Sequence, residues 1–271
     1  MRHVIVTGGS SGIGLAIAAL LLARGDRVSL VARDEARLAA AQRVLSPSGA
    51  QDQRVMGASA DVTDTEALRD AVARCTARFG SVDTIVACAG IVEPALFTDQ
   101  DAATFDRQIA VNVTGVANSL RAVLPTMLES GRGRIGIVSS GAGLVGIPGY
   151  SAYCASKFAL RGLAAALRLE TAGSGVNVSI CFPPDTLTPQ FERELPLRPT
   201  QAQAIMGRVR PVDARTVAGI ILDGMEKNRR EIHFGLTLRL LGYFGPFASA
   251  YIEMRHGRRY AIKADDPPIA P

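Results

Sequence analysis

Tyr153 and Lys157 stand four residues apart in the run Tyr153-Cys154-Ala155-Ser156-Lys157. On a helix that spacing puts both side chains on one face, so an ammonium can sit beside a phenol oxygen. A phenol titrates at about pH 10, and a neighbouring positive charge is expected to lower that value. The result would be a proton donor and acceptor usable near neutrality. Upstream, Ser140 follows Ile137-Val138-Ser139. A hydroxyl at a strand's C-terminal edge can bind a carbonyl oxygen and stabilise the oxyanion that develops on it. Asn112, in Val111-Asn112-Val113-Thr114-Gly115, is a polar residue within a mostly apolar helical stretch. It reads either as a buried structural amide or as the holder of a water that relays protons through Lys157. Each of these features is bland alone; together, in this order, they point to carbonyl chemistry.

Such groups need a frame to hold them. Short β-rich runs are expected at His3–Val6, Arg27–Val31, Arg54–Gly57, Thr84–Ala87, Gly133–Val138 and Asn177–Cys181. Between them, helical patterns run near Ile13–Arg24, Asp34–Leu45, Thr65–Phe79, Phe105–Glu129 and Tyr153–Thr171, the third capped by Thr63 or Asp64. This alternation predicts an α/β fold of the Rossmann type. A doubly wound parallel sheet of about seven strands would carry helices on both faces and ligands at the strands' C-terminal edge. Past Cys181 the regularity fails. The proline-rich stretch 182–211 reads as a long loop with short helices, and a substrate lid is expected over about 183–211. A helix near Val212–Lys227 and a strand near Glu231–Phe234 would close the sheet, so all 271 residues form one domain.

Thr7-Gly8-Gly9-Ser10-Ser11-Gly12-Ile13-Gly14 joins the first strand to the first helix. Gly8, Gly12 and Gly14 make a GxxxGxG turn that lets a pyrophosphate approach the backbone, with the helix N-terminus supplying N–H donors. Ser10 and Ser11 add hydroxyl donors beside Ile13. The second strand ends Leu30-Val31-Ala32-Arg33, where an acidic residue would hold a ribose 2′-hydroxyl; a guanidinium suits a 2′-phosphate instead, so the cofactor is expected to be NADPH/NADP⁺. Alternatively Arg33 is a surface residue paired with Asp34 or Glu35. Asp61, with Val62 beside it, reads equally as an adenine contact or a helix cap.

These motifs are similar to those of the short-chain dehydrogenase/reductase family: TGGSSGIG, Asp61-Val62, Ala89-Gly90, Asn112, Ser140, and Tyr153 with Lys157, spanning roughly residues 4–188. The resemblance implies that Tyr153 is the acid/base and Ser140 orients the carbonyl. It further implies that Lys157 binds the nicotinamide ribose and lowers the tyrosine pKa, while Asn112 supports the relay. Ala87-Cys88-Ala89-Gly90 departs from the family's usual Asn-Asn-Ala-Gly, which removes an asparagine network. The run Pro183-Pro184-Asp185-Thr186-Leu187-Thr188-Pro189-Gln190-Phe191-Glu192 resembles 3-ketosphinganine reductases, apart from Leu187 where an aspartate is usual. That resemblance implies reduction of 3-ketosphinganine to sphinganine, with Pro183, Thr186 and Thr188 bordering the nicotinamide and phosphates. Rival readings are reduction of another carbonyl, such as a 3-oxoacyl thioester or a steroid, and a non-catalytic NADP-binding scaffold.

A lipid substrate also suits the apolar C-terminal extension, about 232–263. Over Ile232–Ile252 it is interrupted by Arg239, Gly242, Gly245 and Pro246, which argues against a membrane span. An interfacial or subunit-contact element followed by Arg255, Arg258, Arg259 and Lys263 is one reading, core packing the other, and Asp265–Pro271 reads as a tail. Four scattered cysteines with no CxxC pair argue against disulfides or a zinc site, and no nucleic-acid module accompanies the net charge of +5. The apolar strand at residues 4–6 leaves no room for a leader. The expectation is a cytoplasmic homodimer or homotetramer, with peripheral membrane contact open.

Overall fold

The structure is a computed structural model, and it describes residues 1–46, 53–206 and 210–257. Strand β1 (His3–Thr7) is buried along its whole length, as a strand covered on both faces must be. Its side chains alternate: Ile5 joins one core cluster, Val4 and Val6 the other. Around it lie α1 (Gly12–Ala23), β2 (Arg27–Ala32), α2 (Glu35–Leu45), β3 (Val55–Ser59), α3 (Thr65–Phe79) and β4 (Thr84–Ala87). Then come α4 (Ala102–Ile109), α5 (Gly115–Arg121), α6 (Leu124–Glu129), β5 (Gly133–Val138), α7 (Ser151–Glu170) and β6 (Val176–Phe182). The lid and C-terminal part hold β7 (Thr186–Leu187), α8 (Pro189–Glu194), α9 (Thr200–Met206), β8 (Val212–Asp213), α10 (Ala214–Glu226), β9 (Glu231–His233) and α11 (Gly235–Gly257).

Seven parallel strands order as β3-β2-β1-β4-β5-β6-β9, the doubly wound sheet expected. The order reverses beside β1, so the β1–α1 turn and the ends of β4 and β5 share one crevice. Ile17, Leu21, Val217 and Ile221 of α1 and α10 cover one face; Leu68, Val116, Leu120 and Leu160 of α3, α5 and α7 cover the other.

The single helix expected over Phe105–Glu129 is not continuous. A π-helical turn, Ala110–Thr114, separates α4 from α5, and α6 restarts after Ala122-Val123 with Pro125 in its first turn. Proline lacks the N–H that would continue the ladder. The π turn carries Asn112, which is fully buried, and such bulges gather at functional sites.

The helix expected from Val212 begins at Ala214, because Val212 and Asp213 pair with Thr186 and Leu187 in a separate two-stranded ladder. Asp213 then caps α10 by accepting from the Thr216 N–H at 2.9 Å. The C-terminal segment is in part core, as one of its readings had it. Ile232 is buried, and Leu238 and Leu241 pack on the core. Leu236, Leu240, Tyr243, Phe247, Tyr251 and Met254 are exposed along one side of α11, which kinks at Phe244. Among the described residues no helix is long and apolar enough to cross a membrane. The Arg255 side chain, Arg258, Arg259, Lys263 and 265–271 lie outside what the structure describes.

Candidate active site

The β1–α1 turn is built on glycine for steric reasons. Gly8 and Gly12 hold φ of +68° and +54°, which side-chain-bearing residues rarely adopt. A Cβ on Gly14 would run into the Gly8 carbonyl oxygen. Ser11 begins α1 in extended conformation with no side-chain cap bond, so its hydroxyl is available to a ligand. Behind the turn, a Cβ on Gly8 would meet Ala89 Cα at 2.9 Å, so Ala89-Gly90 packs directly under it.

Arg33 leaves the end of β2 and its Nη1 lies 3.5 Å from Asp61 Oδ2, not beside Asp34 or Glu35. Asp34 instead caps α2 through the Arg37 N–H. Nor is Asp61 the cap of α3: Asp64 takes that role, accepting from the Glu66 and Ala67 N–H groups at 3.0 Å. Burial opposes ionisation of Asp61. The Thr63 N–H and hydroxyl, with Arg33 nearby, nevertheless hold its carboxyl below the usual range.

At the other end of the crevice, α7 presents Tyr153 and Lys157. The Lys157 Nζ lies 5.4 Å from the centre of the Tyr153 ring and donates to the Val138 carbonyl at 3.1 Å. The lysine is 4 % exposed, and burial pushes its pKa down to about 8. Burial likewise pushes Tyr153 well above the ordinary phenol value. A hydrogen bond with Ser140 pulls it down, and the carboxylates of Glu194 and Asp185 push it up. This corrects the expectation from spacing alone, because desolvation outweighs the hydrogen bond that pulls the value down. Ser140 Oγ also accepts from the Ala142 N–H, which fixes the short turn after β5.

Asn112 is committed to structure. Its Oδ1 accepts from the Ile91 N–H at 2.8 Å, and its Nδ2 donates to the Ile91 carbonyl and Ser156 Oγ. It braces the loop following Gly90 against α7. Cys88, in place of an asparagine, lines the crevice with its thiol pushed up to about 11 by burial. Thr188 closes over the glycine turn: a Cβ on Gly12 would lie 3.1 Å from its Cγ2. Thr186 donates to the Pro184 carbonyl, and the Pro183 carbonyl accepts from the Gly141 N–H.

One cavity of about 590 Å³ gathers these residues. Gly8, Ser10, Ser11, Gly12, Ile13, Gly14, Arg33, Asp61, Val62, Ala89, Gly90, Ser140, Tyr153, Lys157, Pro183, Thr186 and Thr188 all line it. Asn112 stands behind the wall. The sequence reading missed Tyr150, Asp185 and Glu194, which also line the cavity. The glycine cradle, the free Ser11 hydroxyl and the exposed Arg33 guanidinium suit a dinucleotide, so the residues present fit a nicotinamide cofactor.

The family model described as short chain dehydrogenase matches residues 2–196. A 3-ketodihydrosphingosine reductase from Bos taurus is 40% identical over 75% of this chain and 62% of its own length. A 3-dehydrosphinganine reductase from Arabidopsis thaliana is 39% identical over 92% of this chain and 73% of its own. The chain thus spans less than two thirds of the bovine relative. Among solved structures, levodione reductase superimposes with a TM-score of 0.78 at 29% identity, covering 90% of this chain and 98% of that one.

Proposed function

We propose a function on the premise that follows from the match over residues 2–196: the chain belongs to the short chain dehydrogenase family. The proposed reaction is NADPH-dependent reduction of a long-chain ketone, 3-ketosphinganine, to sphinganine. The observation that carries it is the continuity of one cavity from Arg33, past the glycine turn, to Ser140 and Tyr153, and on to the apolar Leu238 and Leu241 of α11. Relatives named for this ketone support the substrate assignment.

When bound, the reduced nicotinamide supplies a hydride to the carbonyl carbon. The chain's own residues do the rest. Ser140 holds the carbonyl oxygen by hydrogen bonding, and Tyr153 gives its proton to the growing alkoxide. Its raised pKa keeps the phenol protonated at neutral pH, the state that reduction needs. Lys157 holds the nicotinamide ribose, and its charge favours the phenolate left behind. Arg33 takes the 2′-phosphate by charge-assisted hydrogen bonds. Asn112 keeps Ile91 and α7 in register around these groups.

The exposed side of α11 begins at the cavity mouth, where Leu236 lines it. This continuity supports peripheral contact with a bilayer from which the lipid enters. Sedimentation with anionic vesicles, compared between the native chain and Phe247→Ser, checks that contact. For the reaction, NADPH absorbance is followed with 3-ketosphinganine in detergent micelles, with NADH and Tyr153→Phe as controls. Turnover with NADPH that is lost in the variant supports the reading. Tight NADPH binding without turnover discards the ketone.

A further inference from the structure

We propose that Asp185 and Glu194 recognise an ammonium on the carbon next to the carbonyl, making a long-chain 2-amino ketone the preferred substrate class over a thioester or a steroid. The inference rests on the reductase reading above and adds its recognition element.

Among the described residues four carboxylates line the cavity: Asp34, Asp61, Asp185 and Glu194. The first two sit with Arg33 and Arg37 at the adenine end. The other two stand at the Tyr153 end, held rigidly by a single guanidinium. Arg198, whose side chain is 7% exposed, donates from Nη1 to Asp185 Oδ2 at 2.8 Å and from Nη2 to Glu194 Oε1 at 2.7 Å. The Tyr150 hydroxyl donates to the same Glu194 oxygen at 2.6 Å and accepts from Arg198 Nε at 3.0 Å.

Two negative charges therefore share one positive partner. Each carboxylate spends one oxygen on this network. Asp185 Oδ1 and Glu194 Oε2 take no hydrogen bond from the described residues. Of the nearby cations, Lys157 is engaged with the Val138 carbonyl, and Arg193 is an exposed residue at the cavity edge. The network reaches the reacting residue through Tyr150, whose ring meets the Tyr153 ring edge-on with centres 6.2 Å apart. Both carboxylates also contribute to the raised pKa of Tyr153.

A carbonyl oxygen held between Ser140 and Tyr153 places its neighbouring carbon within the field of these carboxylates. An ammonium on that carbon adds the cation that the network lacks, and a charge-assisted pair to a partner already held in place costs little ordering. It also offsets part of the field on Tyr153, so the charged substrate eases its own protonation step. A thioester or steroid supplies no cation there and leaves the surplus charge uncompensated.

The test compares 3-ketosphinganine with its 2-deamino analogue, the same chain and ketone without nitrogen. The native protein is expected to prefer the amine by at least tenfold in kcat/KM. Glu194→Gln and Asp185→Asn, which keep size and shape, are expected to reduce that preference at least tenfold, mainly through KM. Thermal melting identifies a variant that fails to fold, in which case the native preference and its loss at alkaline pH, where the substrate amine becomes neutral, decide. Equal turnover of both ketones by the native protein overturns the ammonium assignment and leaves the reductase reading standing. Turnover of neither ketone overturns both.

Discussion

Arg33 and Asp61 face each other at 3.5 Å across the ends of neighbouring strands, with the arginine side chain 62% exposed and the aspartate 35%. An exposed pair of this kind contributes little to stability, of order 0–1 kcal/mol, and yields readily to a better anion. A 2′-phosphate is that anion. Arg33→Ala is therefore expected to raise the KM for NADPH more than tenfold and to change that for NADH little, with unaltered melting. An unchanged ratio of the two KM values would remove Arg33 from cofactor choice.

Tyr153→Phe removes the proton donor and keeps the ring. Reduction is expected to slow by about 10²–10⁴-fold, while NADPH affinity, measured by fluorescence titration, stays within about threefold. Because the phenol is held above its ordinary pKa, alcohol oxidation, which needs phenolate, is expected to rise steadily into the alkaline range. A reverse reaction that peaks at neutral pH would contradict this.

Lys157 carries an opposing cost. The unfolded chain takes up this proton near the ordinary 10.5, the folded chain only near 8. Between those values the unfolded state binds more protons, so stability rises with pH across the window, and below 8 the full cost is present. Lys157→Met should abolish turnover yet stabilise the ligand-free protein at pH 7 by at most about 3 kcal/mol, seen as a higher melting temperature. The difference from native should vanish above pH 10.5. A variant less stable than native at pH 7 would sink the assignment.

Removing Arg198 leaves two carboxylates with no cation between them. Arg198→Met is expected to cost about 3 kcal/mol and to expose the lid to limited proteolysis, with cuts falling between Thr188 and Met206. A melting curve matching native would mean that the lid is held by its apolar contacts alone.

The strands of the seven-stranded sheet were legible because sheet burial writes continuous apolar runs, and each lies within two residues of its expected position; the short β7–β8 pair was read as loop and helix. The break at Asn112 was not legible. Apolar periodicity continues across Ala110–Thr114, and only the long-range bonds to Ile91 and Ser156 account for the π turn. Local motifs announced Tyr153, Lys157, Ser140 and the glycines, since their spacing is short. Asp185, Glu194 and Tyr150 could not be read together, because what joins them is long-range in sequence: Arg198, a residue of no recognisable motif, bonds all three, and Tyr150 bonds Glu194 directly across the lid. The pKa of Tyr153 was misjudged for a related reason: spacing fixes a shared helix face, whereas burial depends on everything packed around it.

The two-residue ladder between β7 and β8 ties the strands on either side of the lid together at a neck. Whatever lies between Leu187 and Val212 can be exchanged, lengthened or reshaped while the seven-stranded sheet beneath keeps its register. Glu194 and Arg198 thereby sit on a different piece of the chain from Ser140, Tyr153 and Lys157. A lineage carrying this architecture can acquire a new ketone by altering one cassette, without renegotiating how the proton is delivered.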